Sequence, residues 1–147
     1  MTSPNQPLIV IPCARLKWHE PAPAGKFYIG RYHQACRQAA DALTRNGGQV
    51  LILSGGYGLV TLDQRLEPYD TRIDDPDAVT PDELRAQARA LAVDQADDVT
   101  VLAGAKYAAA ARSVWPRATA PLHGLGIGRQ LQRLAQIRDG AATAVQL

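Results

Sequence analysis

The sequence predicts an α/β domain built on a mainly parallel sheet of three or four strands, with helices on both faces. Three observations predict it: short runs that are apolar on both faces, helical periodicity between those runs, and long segments after the first two of them. The chain has 147 residues, 46% hydrophobic and 20% charged. That suits one core spanning 1–147, because two units of half the size would each be marginal. The apolar fraction is too high for a disordered chain.

The first run is Leu8 to Ile11, closed by Pro12. The second is Val50 to Leu53, after the Asn46-Gly47-Gly48 turn, and the third is Val99 to Leu102. Ala118 to Leu122, interrupted by Pro121, is a weaker fourth candidate. Between them, Tyr32, Cys36, Ala39, Ala40 and Leu43 form one stripe of a helix over 31–45. Thr80, Pro81 and Glu83 spell an N-cap, a first-turn proline and a capping box, with the stripe Leu84, Ala88, Leu91 following. Ala105 to Trp115 reads as a third helix stopped by Pro116, and Ile127, Leu131, Leu134 and Ile137 mark a fourth. The segments 13–30 and 54–79 read as long loops at the carboxyl ends of the first two strands, where open α/β sheets bind ligands.

Composition excludes several classes. No apolar run approaches the ~20 residues that span a bilayer, and MTSPNQP lacks the basic start and apolar stretch of a secretory leader. The expected location is therefore the cytoplasm, with no membrane partner. Two cysteines, Cys13 and Cys36, are too few for a disulfide scaffold. His19, His33 and His123 are scattered and neither cysteine sits in a CxxC pair, so neither a metal nor another cofactor is expected. Net charge is +2, distributed as +3 over residues 1–69, −6 over 70–98 and +5 over 99–147. This is no uniformly basic surface for duplex DNA, but it leaves room for a local cationic site.

Four stretches carry residues able to do chemistry. Cys13 stands beside Arg15 and Lys17, and cations next to a thiol favour its anionic, nucleophilic form; the commoner fate of a free cysteine is simple packing. Cys36 falls on a helical stripe and reads as core. Ser54-Gly55-Gly56-Tyr57-Gly58 lets backbone amides approach an anion or a base edge, or else makes a tight strand exit. Ser54 is no nucleophile elbow, since no glycine stands two positions before it. Asp63 and Glu67 offer carboxylates for proton transfer, whereas the acidic run from Asp74 to Glu83 reads as helix N-terminal charge and solubility. Gly124, Gly126, Gly128 and Arg129 form a turn entering a helix, able to hold a phosphate although it matches neither a Walker loop nor a dinucleotide fingerprint.

Taken together, Pro12-Cys13-Ala14-Arg15-Leu16-Lys17, Lys26-Phe27-Tyr28-Ile29-Gly30, Ser54-Gly55-Gly56-Tyr57-Gly58-Leu59-Val60 with Asp63, and Glu67-Pro68-Tyr69 resemble the YaaA-type peroxide-stress protein superfamily, and within it the short actinobacterial and phage relatives. The segment Val101 to Tyr107, which includes Lys106, also has counterparts. The resemblance implies a fold similar to that of uracil-DNA glycosylases and an association with DNA binding and oxidative stress. A related domain in archaeosine synthase acts on a modified tRNA base. Carried onto this chain, the family site implies Cys13, Lys17, Tyr28, Ser54, Tyr57, Gly58, Pro68 and Tyr69.

The leading expectation is a small enzyme acting on a nucleobase, nucleoside or nucleotide, of N-glycosidic hydrolase or transferase or base-modifying type. Cys13, Lys17, Ser54 and Asp63 are the catalytic candidates. Trp18 or Tyr57 would stack on the base, with Tyr28, Gly55, Gly56, Gly58, Tyr69 and Lys106 as further substrate contacts. Gly124, Gly126, Gly128 and Arg129 would take a phosphate. The alternative is a non-catalytic nucleic-acid-binding module of stress response, whose partner would be single-stranded nucleic acid. A thiol sensor at Cys13 is a third reading.

Overall fold

In the computed structural model, which describes residues 6–146 (side chains through 140), the LIVIP run becomes strand β1, Leu8–Pro12, buried at all five positions. Met1–Asn5 lie outside the described residues, and with them most of the MTSPNQP segment; so does Leu147. Strand β1 is central because it pairs in parallel on both sides, with β3 (Gln49–Ser54) and β6 (Val99–Val101). The two-residue period divides its side chains between two cores. Leu8 and Val10 point to one, and Ile9 and Ile11 to the other. The register sets Ile9 opposite Val50 and Val10 opposite Leu51, so neighbouring strands feed the same face in step.

Each face is covered by helices. Cys36, Ala39 and Ala40 of α2 (Arg31–Leu43) pack with Leu134 of α5 (Ile127–Gln146) over Ile9, Ile11, Val50 and Ile52. Leu84 and Ala88 of α3 (Pro81–Ala90), and Ala108 and Ala111 of α4 (Ala105–Arg112), pack over Leu8, Val10, Leu51 and Leu53. The capping box forms as the sequence spells it: Thr80 Oγ1 accepts from the Glu83 amide at 3.2 Å, and Glu83 Oε1 accepts from the Thr80 amide at 3.1 Å. Thr80→Ala is therefore expected to cost about 1 kcal/mol, read as a lower urea midpoint with unchanged slope.

The sheet departs from the predicted one at both edges. Its order is β4-β3-β1-β6, and β4 (Gly58–Thr61) runs antiparallel to β3. Gly58 makes this reversal at φ +79°, a conformation costly for side-chain-bearing residues. Residues 54–79 are thus no single loop: they also contain β5 (Arg65–Leu66), which pairs with β2 (Ala22–Pro23) from the other long segment. A single helical turn, α1 (Ala24–Phe27), follows β2. The fourth expected strand shrinks to one parallel bridge between Thr119 and Thr100, since Pro121 has no N–H with which to continue a ladder. The third helix ends at Arg112 rather than Trp115. Among the described residues no helix is long and apolar enough to cross a membrane.

Candidate functional site

The strand order creates one crevice. From β1 the chain leaves to α2 on one face, and from β6 it leaves to α4 on the other. Between strands whose exits diverge, the carboxyl ends of a parallel sheet stay uncovered, which is where such folds bind ligands. Cys13, the first residue after β1, and Gly104, the N-cap of α4, stand at the two sides of that opening. The Cys13 amide extends the pairing by donating to the Leu53 carbonyl at 2.9 Å. Its sulfur lies 3.1 Å from Tyr107 Oη, in the first turn of α4.

A cleft of about 250 Å³ opens over this contact. Cys13, Ala14, Arg15 and Lys17 line it from one segment, residues 70–74 from a second, and Lys106 and Tyr107 from a third. Four cations face it, Arg15, Lys17, Arg72 and Lys106, together with two carboxylates, Asp70 and Asp74. Lys106 Nζ is bound at 2.7 Å to Asp74, whose carboxyl that lysine holds below the usual carboxylate range. Asp74 therefore belongs to the cleft and is not merely a helix-terminal charge. A second cleft, of about 310 Å³, adjoins the first and shares Cys13, Lys106 and Tyr107 with it; Pro12, Tyr32, Gly104, Ala105, Ile127 and Gln130 complete its lining.

Behind Cys13 lies a chain of hydroxyls. Ser54 Oγ is 2.5 Å from Tyr69 Oη, and Tyr69 Oη is hydrogen-bonded to Tyr28 Oη. Ser54 also accepts from the Tyr57 amide at 3.0 Å and is fully buried, so it anchors Tyr69 and does not meet solvent. Phe27 stacks on Tyr69, and Lys17 Nζ sits 4.7 Å from the Tyr69 ring centroid, a cation–π distance. Burial pushes Tyr28 up to about 12 and raises Tyr69 and Tyr107 further; the Cys13 sulfur adds to the rise at all three. These phenols keep their protons near neutral pH, so each hydroxyl is able both to donate and to accept in these contacts.

Several expected contacts are displaced. The glycines of the Ser54–Gly58 turn face the protein itself. A Cβ at Gly55 would meet backbone atoms of residues 71–73 at 2.5–2.7 Å, and one at Gly56 would meet the Tyr69 ring at 2.8 Å. At Gly58 the space holds the Gln87 side chain, which accepts from the Leu59 amide at 2.8 Å and donates to the Tyr57 carbonyl at 2.9 Å. Gly55 and Gly58 are buried under their own chain, and Gly56, though exposed, turns its Cα hydrogen toward the Tyr69 ring. Tyr57 lies edge-on against Tyr69, and its hydroxyl accepts from the Glu67 amide at 3.0 Å. Asp63 follows β4, which runs back along β3 as far as Leu51, so the hairpin carries it toward the sheet edge opposite Cys13; there it accepts from Thr61. Gly124, Gly126, Gly128 and Arg129 are exposed and line neither cleft. Trp18 is 45% exposed, tilted against His19, and also outside both clefts. Cys13, Lys17 and Lys106 are brought together; Tyr28 and Tyr69 form the wall behind them.

Sequence reading missed Tyr107, which looked like one more residue of an alanine-rich helix, although its place in the first turn after a strand was a usable signal. It also missed His33. That imidazole is buried, with Nδ1 3.0 Å from the Pro12 carbonyl, so it braces the backbone next to Cys13. Burial lowers its pKa from 6.5 to about 4; the Pro12 bond opposes this and the Arg37 charge adds to it. As pH falls from 6.5 to 4, the unfolded chain takes the proton before the folded one, so stability is lost across that window. The loss is on the order of 3 kcal/mol, from 1.36 kcal/mol per pKa unit. His33→Asn, which keeps an N–H donor but does not titrate, is expected to flatten the acid limb in urea unfolding between pH 7 and 4.5. An identical pH slope in both proteins would refute this.

Fold and site define an open α/β sheet protein with a thiol at its switch-point crevice. The chain belongs to a family of unknown function, DUF6884, whose model matches residues 8–136, from the first residue of β1 into α5. No curated protein and no solved structure matches it. Among the described residues no group of three or more His, Cys, Asp or Glu side chains is placed to hold a metal ion.

Proposed function

We propose that this protein is a small cytoplasmic enzyme acting on a nucleobase, nucleoside or nucleotide, with Cys13 as nucleophile and Tyr107 as its proton partner. The observation that carries the reading is the 3.1 Å contact between Cys13 Sγ and Tyr107 Oη beneath a cleft rimmed by four cations. The likeness to the YaaA-type superfamily, with its glycosylase-like fold, supports the same substrate class. For an N-glycosidic bond, the sulfur attacks the anomeric carbon and the base departs with the bonding electron pair. The thiol proton passes to Tyr107 Oη as the Tyr107 proton goes to the departing nitrogen; water then displaces the sulfur from the sugar and returns a proton to it through Tyr107, so the phenol is neutral at each stage. Arg15, Lys17, Arg72 and Lys106 supply positive potential for a phosphate or a developing anion.

Incubation of the purified chain with nucleosides, nucleotides and modified bases, followed by chromatography, tests this. The expected result is turnover or saturable binding that Cys13→Ala abolishes; a wild-type protein inert toward the whole set would end the proposal. Exposed Leu16 and Trp18 beside Arg15 and Lys17 favour a second reading, a module that binds single-stranded nucleic acid. That reading requires affinity falling steeply with salt, because bound phosphates release counterions.

A further inference from the structure

The two clefts that meet at Cys13 differ sharply in lining. The first carries Arg15, Lys17 and Arg72 besides the shared Lys106, against two carboxylates, Asp70 and Asp74, so its cations outnumber its anions by two. The second has no cation of its own: its walls are Pro12, Tyr32, Gly104, Ala105 and Ile127, with the Gln130 amide among them. At about 250 and 310 Å³, each alone is near the lower end of the ~300–1,000 Å³ range of small-molecule sites, and together they fall well inside it. From this contrast we propose that the crevice takes a mononucleotide lying across the Cys13–Tyr107 contact, with its phosphate in the cationic cleft and its base in the apolar one.

This rests on the nucleobase reading above and adds where each end of the ligand sits. Ile127, the first residue of α5, is 62% exposed, so a large apolar side chain faces solvent on the wall of the second cleft. A planar base covering it removes that surface from water, a gain that phosphate or ribose alone cannot supply. Gln130 sits at the same wall. Its Oε1 accepts from Tyr32 Oη and its Nε2 donates to the Leu125 carbonyl at 2.8 Å. Because an amide nitrogen carries two hydrogens, one remains for a carbonyl or ring nitrogen on a base edge. The side chain is thus held in orientation from both ends, which suits a group that reads a base. Lys106 stands where the clefts join, paired with Asp74 at 2.7 Å; a ligand phosphate there competes for the same ammonium.

Two substitutions perturb the apolar cleft with little threat to folding. Ile127 is exposed, so Ile127→Ser removes contact surface without opening a core. Gly104 has φ −72° and ψ −177°, ordinary for any residue, and a Cβ there would meet only Gln130 Nε2 at 3.8 Å, so Gly104→Val fills the cleft. Isothermal titration calorimetry with the four common 5′-mononucleotides, their nucleosides and inorganic phosphate, on proteins of matched Tm, reads the outcome. We expect both variants to weaken at least one mononucleotide tenfold or more while changing phosphate affinity less than twofold. Arg72→Ala should weaken mononucleotide and phosphate alike. If the wild type binds nucleotides and neither apolar-cleft variant changes their affinity, the base lies elsewhere: this inference fails and the nucleobase reading stands. A wild type that binds no mononucleotide refutes the inference alone when it binds a nucleoside or acts on a modified base, and one inert toward all nucleosides, nucleotides and modified bases overturns both.

Discussion

Gly55→Ala is expected to destabilise the protein by about 3 kcal/mol, the upper end for overpacking a filled site, and to deform the cationic cleft. An added methyl at this buried position would lie 2.5 Å from the Arg72 carbonyl carbon, 2.6 Å from the Ile73 nitrogen and 2.7 Å from the Thr71 oxygen. All three are backbone atoms, so no side chain can swing aside to make room. The neighbouring connection is also tight, since the Val79 amide donates to the Gly55 carbonyl at 2.9 Å. Relief therefore requires moving residues 71–73, one wall of the cleft that also holds Asp74. The variant should show a lower urea midpoint together with weakened ligand binding. Gly126→Ala is the control: nothing lies within 4 Å of a Cβ there, and the change should move neither quantity. An unchanged midpoint in Gly55→Ala would mean that residues 71–73 do not pack on the turn as described.

Cys13→Ser is expected to lower turnover by about three orders of magnitude or more, the scale seen when an enzyme loses its nucleophile, with little change in Tm. Serine is close to cysteine in size and Cys13 is only half-buried, so packing is not the main loss. Thiol labelling adds a check that needs no substrate. Cys36 is fully buried, its sulfur directed at the Leu102 carbonyl and its thiol pushed up to about 12 by burial. Native protein should therefore take up one equivalent of iodoacetamide, at Cys13, and two only in denaturant. Cys13→Ser should take up none in the native state. Native labelling of Cys36 at a similar rate would contradict the burial on which this distinction rests.

How far the fold could be read in advance depended on how local the signal was. Strands β1 and β3 were legible because both faces are buried, leaving the unbroken apolar runs Leu8–Ile11 and Val50–Leu53, and β6 because Val99 and Val101 flank a half-buried Thr100. Helix α3 was legible because Thr80, Pro81 and Glu83 carry their start signal within four residues. The β4 hairpin was not, since Gly58-Leu59-Val60-Thr61 is too short for a convincing period and its pairing with Leu51–Ser54 depends on the turn geometry. That one reversal explains much of the misplacement at the site. Cys13 directly follows β1 and Lys106 lies in the first turn of α4, a short connection past β6, so neighbouring parallel strand ends bring them together. Asp63 lies beyond the hairpin and is carried away. The Ser54–Gly58 glycines looked like a ligand cradle, but residues 71–73, Tyr69 and Gln87 fill them, a contact between distant segments that no local pattern encodes.

Mapping backbone amide shifts by NMR while a mononucleotide is titrated tests the location of the site most directly. The proposed site predicts the largest changes at Cys13, Arg15, Lys17, residues 70–74 and Gly104–Tyr107, where the exits of β1 and β6 diverge. Changes confined to Gly124–Arg129, or to the cleft lined by Asp94, Asp97, Trp115 and Arg117, with Cys13 and Tyr107 unmoved, would contradict a binding site at the switch point.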